Sequence, residues 1–211
     1  RVASRLLENN PVNEDMNQAG ELVDVAFGIN IVVNTKSKHS KLFCGNFHDA
    51  WIKSCKYVDD CYGVKIEKEA DIVIASCGGY PKDINLYQST KSIFNAARAV
   101  KKGGTVIFLA ECREGGGAPD FFSWIDPLKR GVLDEELRAN FTIGGYIFYA
   151  LCEAIAKSDM LMLSEIDPNF VKDLNIDSYK NIDELLEKVD FEGKDVCILP
   201  YGGSVVPLLQ K

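Results

Sequence analysis

A chain of 211 residues that is 46% hydrophobic can bury a substantial core, and its length suits one or two domains. The formal net charge of −7 argues against nucleic acid or an anionic membrane as a partner, since either needs a basic footprint. No apolar run approaches the roughly 20 residues of a membrane span, and no signal-peptide pattern is present. The seven cysteines are scattered, with no CxxC pair, so neither a zinc site nor a disulfide framework is indicated. A reducing, cytoplasmic setting fits that usage best.

The chain starts at Arg1 inside RVASRLLENN, which has the spacing of a helix that Asn10-Pro11 ends. Asn13-Glu14-Asp15 leads into a helix through about Leu22. FGINIVVN (27–34) reads as a strand, Thr35 to Lys38 as a turn, and His39 to Cys44 as its hairpin partner. Asn46 can cap the helix FHDAWIKSCKYVDD, with Phe47, Ala50, Trp51 and Cys55 on one side. His39 and His48 are the only histidines. Neither has acidic or cysteine neighbours at ligand spacing, so both are read as structural or surface residues.

The chain is organised around residues 71–102. Ile72 to Ala75 has the continuous apolar character of a strand buried on both faces. Gly78-Gly79-Tyr80-Pro81 breaks it, and Asp83 or Asn85 can cap the helix that follows. Leu86, Thr90, Ile93, Phe94, Ala97 and Val100 give that helix an inward stripe. Lys101-Lys102-Gly103-Gly104 is expected to close it. Gln88 and Lys91, three residues apart, share a face off this stripe, just past the carboxyl end of the strand. An amide, an ammonium and the free amides of a helix start suit a small carboxylate. The same spacing also fits a solvated helix face.

Thr105 to Cys112 is a second buried strand, joined to the first by a helix, which implies a parallel, right-handed crossover. Its glycine loop, Arg113 to Gly117, is expected to form a cleft with Gly78-Gly79, Gln88 and Lys91, with Glu111 and Glu114 as possible polar liners. FFSWIDPL (121–128) reads as one short helix and Asp134 to Arg138 as another. Gly144-Gly145 precedes a helix over 146–157 with Ile147, Leu151, Ala154 and Ile155 inward. Met160 to Leu163 is a third strand, Asp167-Pro168 and Asn181 start further helices, and Asp195 to Leu199 is a last strand before Gly202-Gly203 and an apolar tail.

The string SCGGYPKDINLYQSTK (76–91), with VKKGGTVIFLAECREG (100–115), resembles the nickel-dependent lactate racemase family, and a weaker likeness extends to NPVNED (10–15) and to the chain's end. The resemblance implies racemisation or epimerisation of lactate or a related 2-hydroxy acid. A nickel pincer nucleotide would take a hydride from the α-carbon and return it. It implies that Lys91 neutralises the substrate carboxylate, that Gln88 and Tyr87 orient it, and that Tyr146 occupies a position near the substrate. The family's nickel ligands and acid–base histidines belong to a region that would precede Arg1, so none is assigned to His39 or His48. The chain is therefore expected to be a fragment, inactive alone, whose partner is a missing amino-terminal domain.

The expected fold is α/β. Residues 66–194 form a carboxyl-terminal, Rossmann-like domain with a mainly parallel sheet flanked by helices. Residues 1–65 are a remnant of a mixed α/β amino-terminal domain, and 195–211 a tail returning to it. The other reading is a nucleotide- or small-anion-binding domain without racemase activity, although the loop lacks the third spaced glycine of the dinucleotide fingerprint.

Overall fold

The computed structural model describes residues 5–34 and 38–210. The chain divides into two compact units, residues 1–63 and 64–211.

In the first unit, α1 (Pro11–Glu21) starts at Asn10, whose side chain accepts the amide of Val12, with proline at the first helical position. The hairpin β1 (Gly28–Val33) and β2 (His39–Gly45) is antiparallel, with Ile29 opposite Cys44 and Ile31 opposite Leu42. The expected turn between these strands falls largely on 35–37, outside the described residues. The helix α2 (Phe47–Tyr62) is capped by Asn46, which accepts from the amides of His48 and Asp49. The opening segment departs from expectation: its described part, 5–10, forms turns rather than a helix. Asn10 and Asn13 donate their side-chain amides to the carbonyls of Leu6 and Leu7, giving that backbone a non-helical partner.

The second unit begins with β3 (Gly63–Ile66) at the boundary, then β4 (Ala70–Ser76), α3 (Leu86–Ala99) and β5 (Val100–Leu109). Three short helices follow, α4 (Pro119–Phe122), α5 (Ile125–Lys129) and α6 (Leu133–Ala139), and then α7 (Ile143–Ile155). Next come β6 (Asp159–Leu163), α8 (Pro168–Val171), β7 (Ile176–Tyr179), α9 (Ile182–Leu186), β8 (Val196–Leu199) and β9 (Val206–Leu209). Strands β7-β6-β5-β4-β8 form one sheet in that order, every neighbouring pair parallel, while β3 and β9 pair separately. The chain thus moves outward from β4 to β7 and returns to place β8 on the other side of β4. This is the Rossmann-like α/β architecture with a parallel sheet.

One face of the sheet carries the main core. Val73 and Ala75 of β4, Val106 and Phe108 of β5 and Met160 and Met162 of β6 pack with Leu86, Ile93 and Ala96 of α3 and Phe148 and Leu151 of α7. Each large side chain so buried contributes about 1.5–3 kcal/mol. The other face is thinner: Ile72, Ile107 and Leu161 are covered by Leu185 of α9.

Several boundaries differ from expectation. The helix α3 ends at Ala99, not in the Lys-Lys-Gly-Gly run, because Val100 turns extended and pairs with Ala70 in the sheet. Lys101 then ion-pairs with Asp71 of the neighbouring strand, and Arg98 supplies the cation of the helix's last turn. Residues 121–128 form two short helices, not one. The helix α7 begins before its glycines, capped by Thr142, and a Cβ on Gly145 would stand 2.5 Å from the Trp124 indole. Close packing on Trp124, rather than a turn, explains that glycine. The tail is the largest correction: 195–209 does not leave for the first unit. Val196 to Leu199 pairs with Ile72 to Ala75 as part of the central sheet, and β9 pairs with β3.

Candidate functional site

Tyr87, Gln88 and Lys91 lie on the first turns of α3, which starts directly after the loop leaving the carboxyl end of β4. Asn85, not Asp83, is the cap: its side-chain oxygen accepts the Gln88 amide at 2.9 Å, and its carbonyl accepts Ser89 at 3.1 Å. The remaining amides of the first turn are taken by the glycine loop. Leu86 donates to the Gly115 carbonyl at 2.9 Å and Tyr87 to that of Gly116 at 3.2 Å. The helix start therefore has no free amide to offer a ligand, contrary to the expectation from sequence. The pull of its dipole is already answered by protein carbonyls.

These bonds belong to a longer seam between the loops that leave β4 and β5. Cys112 donates to the Asp83 carbonyl at 2.8 Å and Glu114 to that of Ile84 at 2.9 Å. The Glu111 amide reaches the Asp83 carboxylate at 3.3 Å, and the Arg113 guanidinium lies 4.3 Å from the centre of the Tyr80 ring. Asp83 is buried in this seam. Sequence reasoning offered it only as a cap, since backbone-to-backbone bonding leaves no mark on residue type.

The seam fixes Tyr87, whose half-buried ring meets Phe121 edge-on at 5.2 Å. Gln88 and Lys91 project from the exposed side of the same turns, and among the described residues Lys91 has no ion pair or hydrogen bond. Tyr146 stands on the exposed side of α7, a helix that packs against α3. It lines a cavity of about 340 Å³ with Leu137, Phe141 and Tyr149, and none of Tyr87, Gln88 or Lys91 borders that space.

The expected cleft at the carboxyl edge also takes a different form. A cavity of about 440 Å³ opens there, lined by Gly79, Asp83, Glu111, Glu165 and Lys180 among others, but Gln88 and Lys91 are not on its wall. Glu111 is a liner as expected, whereas Glu114 is not. Burial raises the thiol pKa of Cys112, behind the seam, to about 11, and Ser89 partly offsets the rise with a hydrogen bond.

An open, wholly parallel sheet with its exposed polar side chains at the carboxyl edge defines a Rossmann-like α/β domain, a class in which ligands bind at that edge. Comparison with known proteins narrows it. Residues 65–207 match the family model for the lactate racemase C-terminal domain, and the chain belongs to the lactate racemase family. It is 32% identical over 210 residues to the lactate racemase of Thermoanaerobacterium thermosaccharolyticum and 27% identical over 211 residues to that of Lactiplantibacillus plantarum. Each alignment takes in 95% of this chain and 49% of the relative, so the chain spans about half the length of the curated relatives it matches. The structure of the T. thermosaccharolyticum lactate racemase apoprotein superposes with a TM-score of 0.85 at 30% identity, covering 96% of this chain and 50% of that one. A Thermotoga maritima protein shares the fold with a TM-score of 0.67 at 14% identity.

Proposed function

We propose that this chain is the substrate-orienting part of a racemase of lactate or a related 2-hydroxy acid. The observation that carries the reading is the placement of Gln88 and Lys91 on one exposed face of a helix start that the Asp83–Gly116 seam immobilises, in a chain of this family. In the proposed role the Lys91 ammonium neutralises the substrate carboxylate. The Gln88 amide donates a second hydrogen bond to it, and Tyr87, held by Phe121, limits the tilt of the bound acid. With the backbone amides occupied, the two side chains must carry carboxylate recognition themselves. Tyr146 would take the position near the substrate that the family resemblance implies.

Inversion at the α-carbon requires a group that removes and returns hydrogen, which in this family resemblance is the hydride chemistry of a nickel pincer nucleotide. Among the described residues no three His, Cys, Asp or Glu side chains are grouped to hold a metal ion. The donor set of the described residues does not fit such a centre. That chemistry, and the acid–base groups, would belong to the half of the relatives that this chain does not span, leaving this chain inactive alone. The free state of all seven cysteines suits a reducing, cytoplasmic setting.

The nucleotide- or small-anion-binding alternative rests on the order of strand, Gly-Gly loop and helix, and the loop lacks the third spaced glycine of the dinucleotide fingerprint. Saturation-transfer NMR separates the readings. Signal transfer to lactate, reduced by Lys91→Ala and absent for NAD, is the expected result. Transfer to NAD with none to any 2-hydroxy acid would overturn the proposal.

A further inference from the structure

The first unit carries an apolar sheet face that none of the described residues covers. Within the hairpin, Gly28, Asn30 and Val32 of β1 face the same way as Phe43 of β2, toward α2, where Phe43 meets Tyr57 at 5.6 Å. The alternate residues point the other way. Ile29, Ile31, Val33 and Leu42 are 64%, 51%, 50% and 57% exposed, and Cys44, opposite Ile29, is exposed beside them. Meanwhile Asn10, Val32, Ala50 and Ser54 are the only buried residues among those described up to Gly63, and just two of the four are apolar. So small a core leaves the sheet with one covered face, where a stable layered fold covers both or leaves the free one polar.

The match to the C-terminal domain model starts at residue 65, yet the alignments and the superposition with lactate racemases take in the first unit as well. The first unit therefore aligns with the portion of those proteins outside their C-terminal domain, alongside the half that this chain does not span.

We propose that the open face of β1 and β2 is the seat of the polypeptide making up the other half of a lactate racemase, which lays an apolar surface of its own over Ile29, Ile31, Val33 and Leu42. This rests on family membership and on the exposed face, and not on the carboxylate-binding role of Lys91.

Cys44 reports on the face directly. Its alkylation rate is measured in this chain alone and in a chimera that joins the amino-terminal half of the T. thermosaccharolyticum enzyme to this chain. The expected result is at least a tenfold slower reaction in the chimera, restored to the rate of the free chain by the double substitution Ile31→Glu, Leu42→Lys. Both substituted side chains stand in water in this chain, so circular dichroism of the free variant should match the parent. Equal rates in chain and chimera would overturn the proposal, as would protection that survives the double substitution. Protection already present in the free chain, rising with concentration together with a dimer in light scattering, would assign the face to a second copy instead. None of these readouts depends on racemase activity.

Discussion

The Gly116 carbonyl accepts the Tyr87 amide at 3.2 Å, so the loop after β5 closes the start of α3 and sets the turn on which Gln88 and Lys91 stand. The next residue makes this contact tight. Gly117 has φ +96°, and a Cβ there would lie 2.9 Å from both the Asn85 side-chain oxygen and the Tyr87 Cβ. Gly117→Ala should cost about 1–3 kcal/mol through overpacking and backbone strain. Because the clash falls on the cap and on Tyr87, it should also weaken lactate binding, read by NMR titration. Unchanged stability and affinity would mean that the loop gives way without moving α3.

Asn85→Ala tests the same junction from the helix side. Losing the side-chain acceptor for Gln88 should cost about 1 kcal/mol, and Asn85→Asp should retain most of it, because a carboxylate also caps. For a chain of this size, about 2–4 °C in Tm per kcal/mol is expected, measured by thermal unfolding.

Much of the sheet and its helices was legible because the signals are local. Ile72 to Ala75, Asn46 before α2 and Asn181 before α9 each announce themselves within a few residues. What escaped depends on partners far along the chain. Ile176 to Tyr179 is too short and too polar to read as a strand until β6 pairs with it, and β3 and β9 are strands only because they meet each other. The site divides in the same way: spacing put Gln88 and Lys91 on one face, but only the fold shows the glycine loop consuming the amides assumed free.

The place of β8 leads to a truncation test. A fragment over residues 64–194 loses the strand that pairs with Ile72 to Ala75, and with it Leu199 from the core. Residues 64–210 should unfold cooperatively in urea, whereas 64–194 should show a broad transition or none. Equal cooperativity would mean that β8 is dispensable to the sheet.

Thiol chemistry should follow burial. Desolvation pushes Cys112 up to about 11 and Cys152 up to about 12, while Cys44 and Cys61 are exposed. At pH 8 a thiol of pKa 11 is ionised to roughly one part in a thousand, and only the thiolate attacks. A disulfide reagent should modify Cys44 and Cys61 within the fast phase and reach Cys112 and Cys152 only on unfolding. Mass spectrometry finding Cys112 among the early products would contradict the closed seam.

Lys91 decides the functional proposal. With the amides of α3 occupied, it is the cation beside Gln88 on the first turns of α3, and it makes no competing ion pair among the described residues. If it meets the substrate carboxylate in a closed, water-poor complex, removing it leaves that charge uncompensated, typically a loss of about 2–5 kcal/mol. In an active assembly containing this chain, Lys91→Ala should lower kcat/KM by roughly 30-fold or more, since each 1.36 kcal/mol is about tenfold. Lys91→Arg should recover only part, because a planar fork does not replace a compact ammonium. The Tm should barely move, since an exposed, unpaired lysine contributes little to stability. Steady-state kinetics with each lactate enantiomer check this, and parental kcat/KM in a folded Lys91→Ala assembly would remove Lys91 from the site.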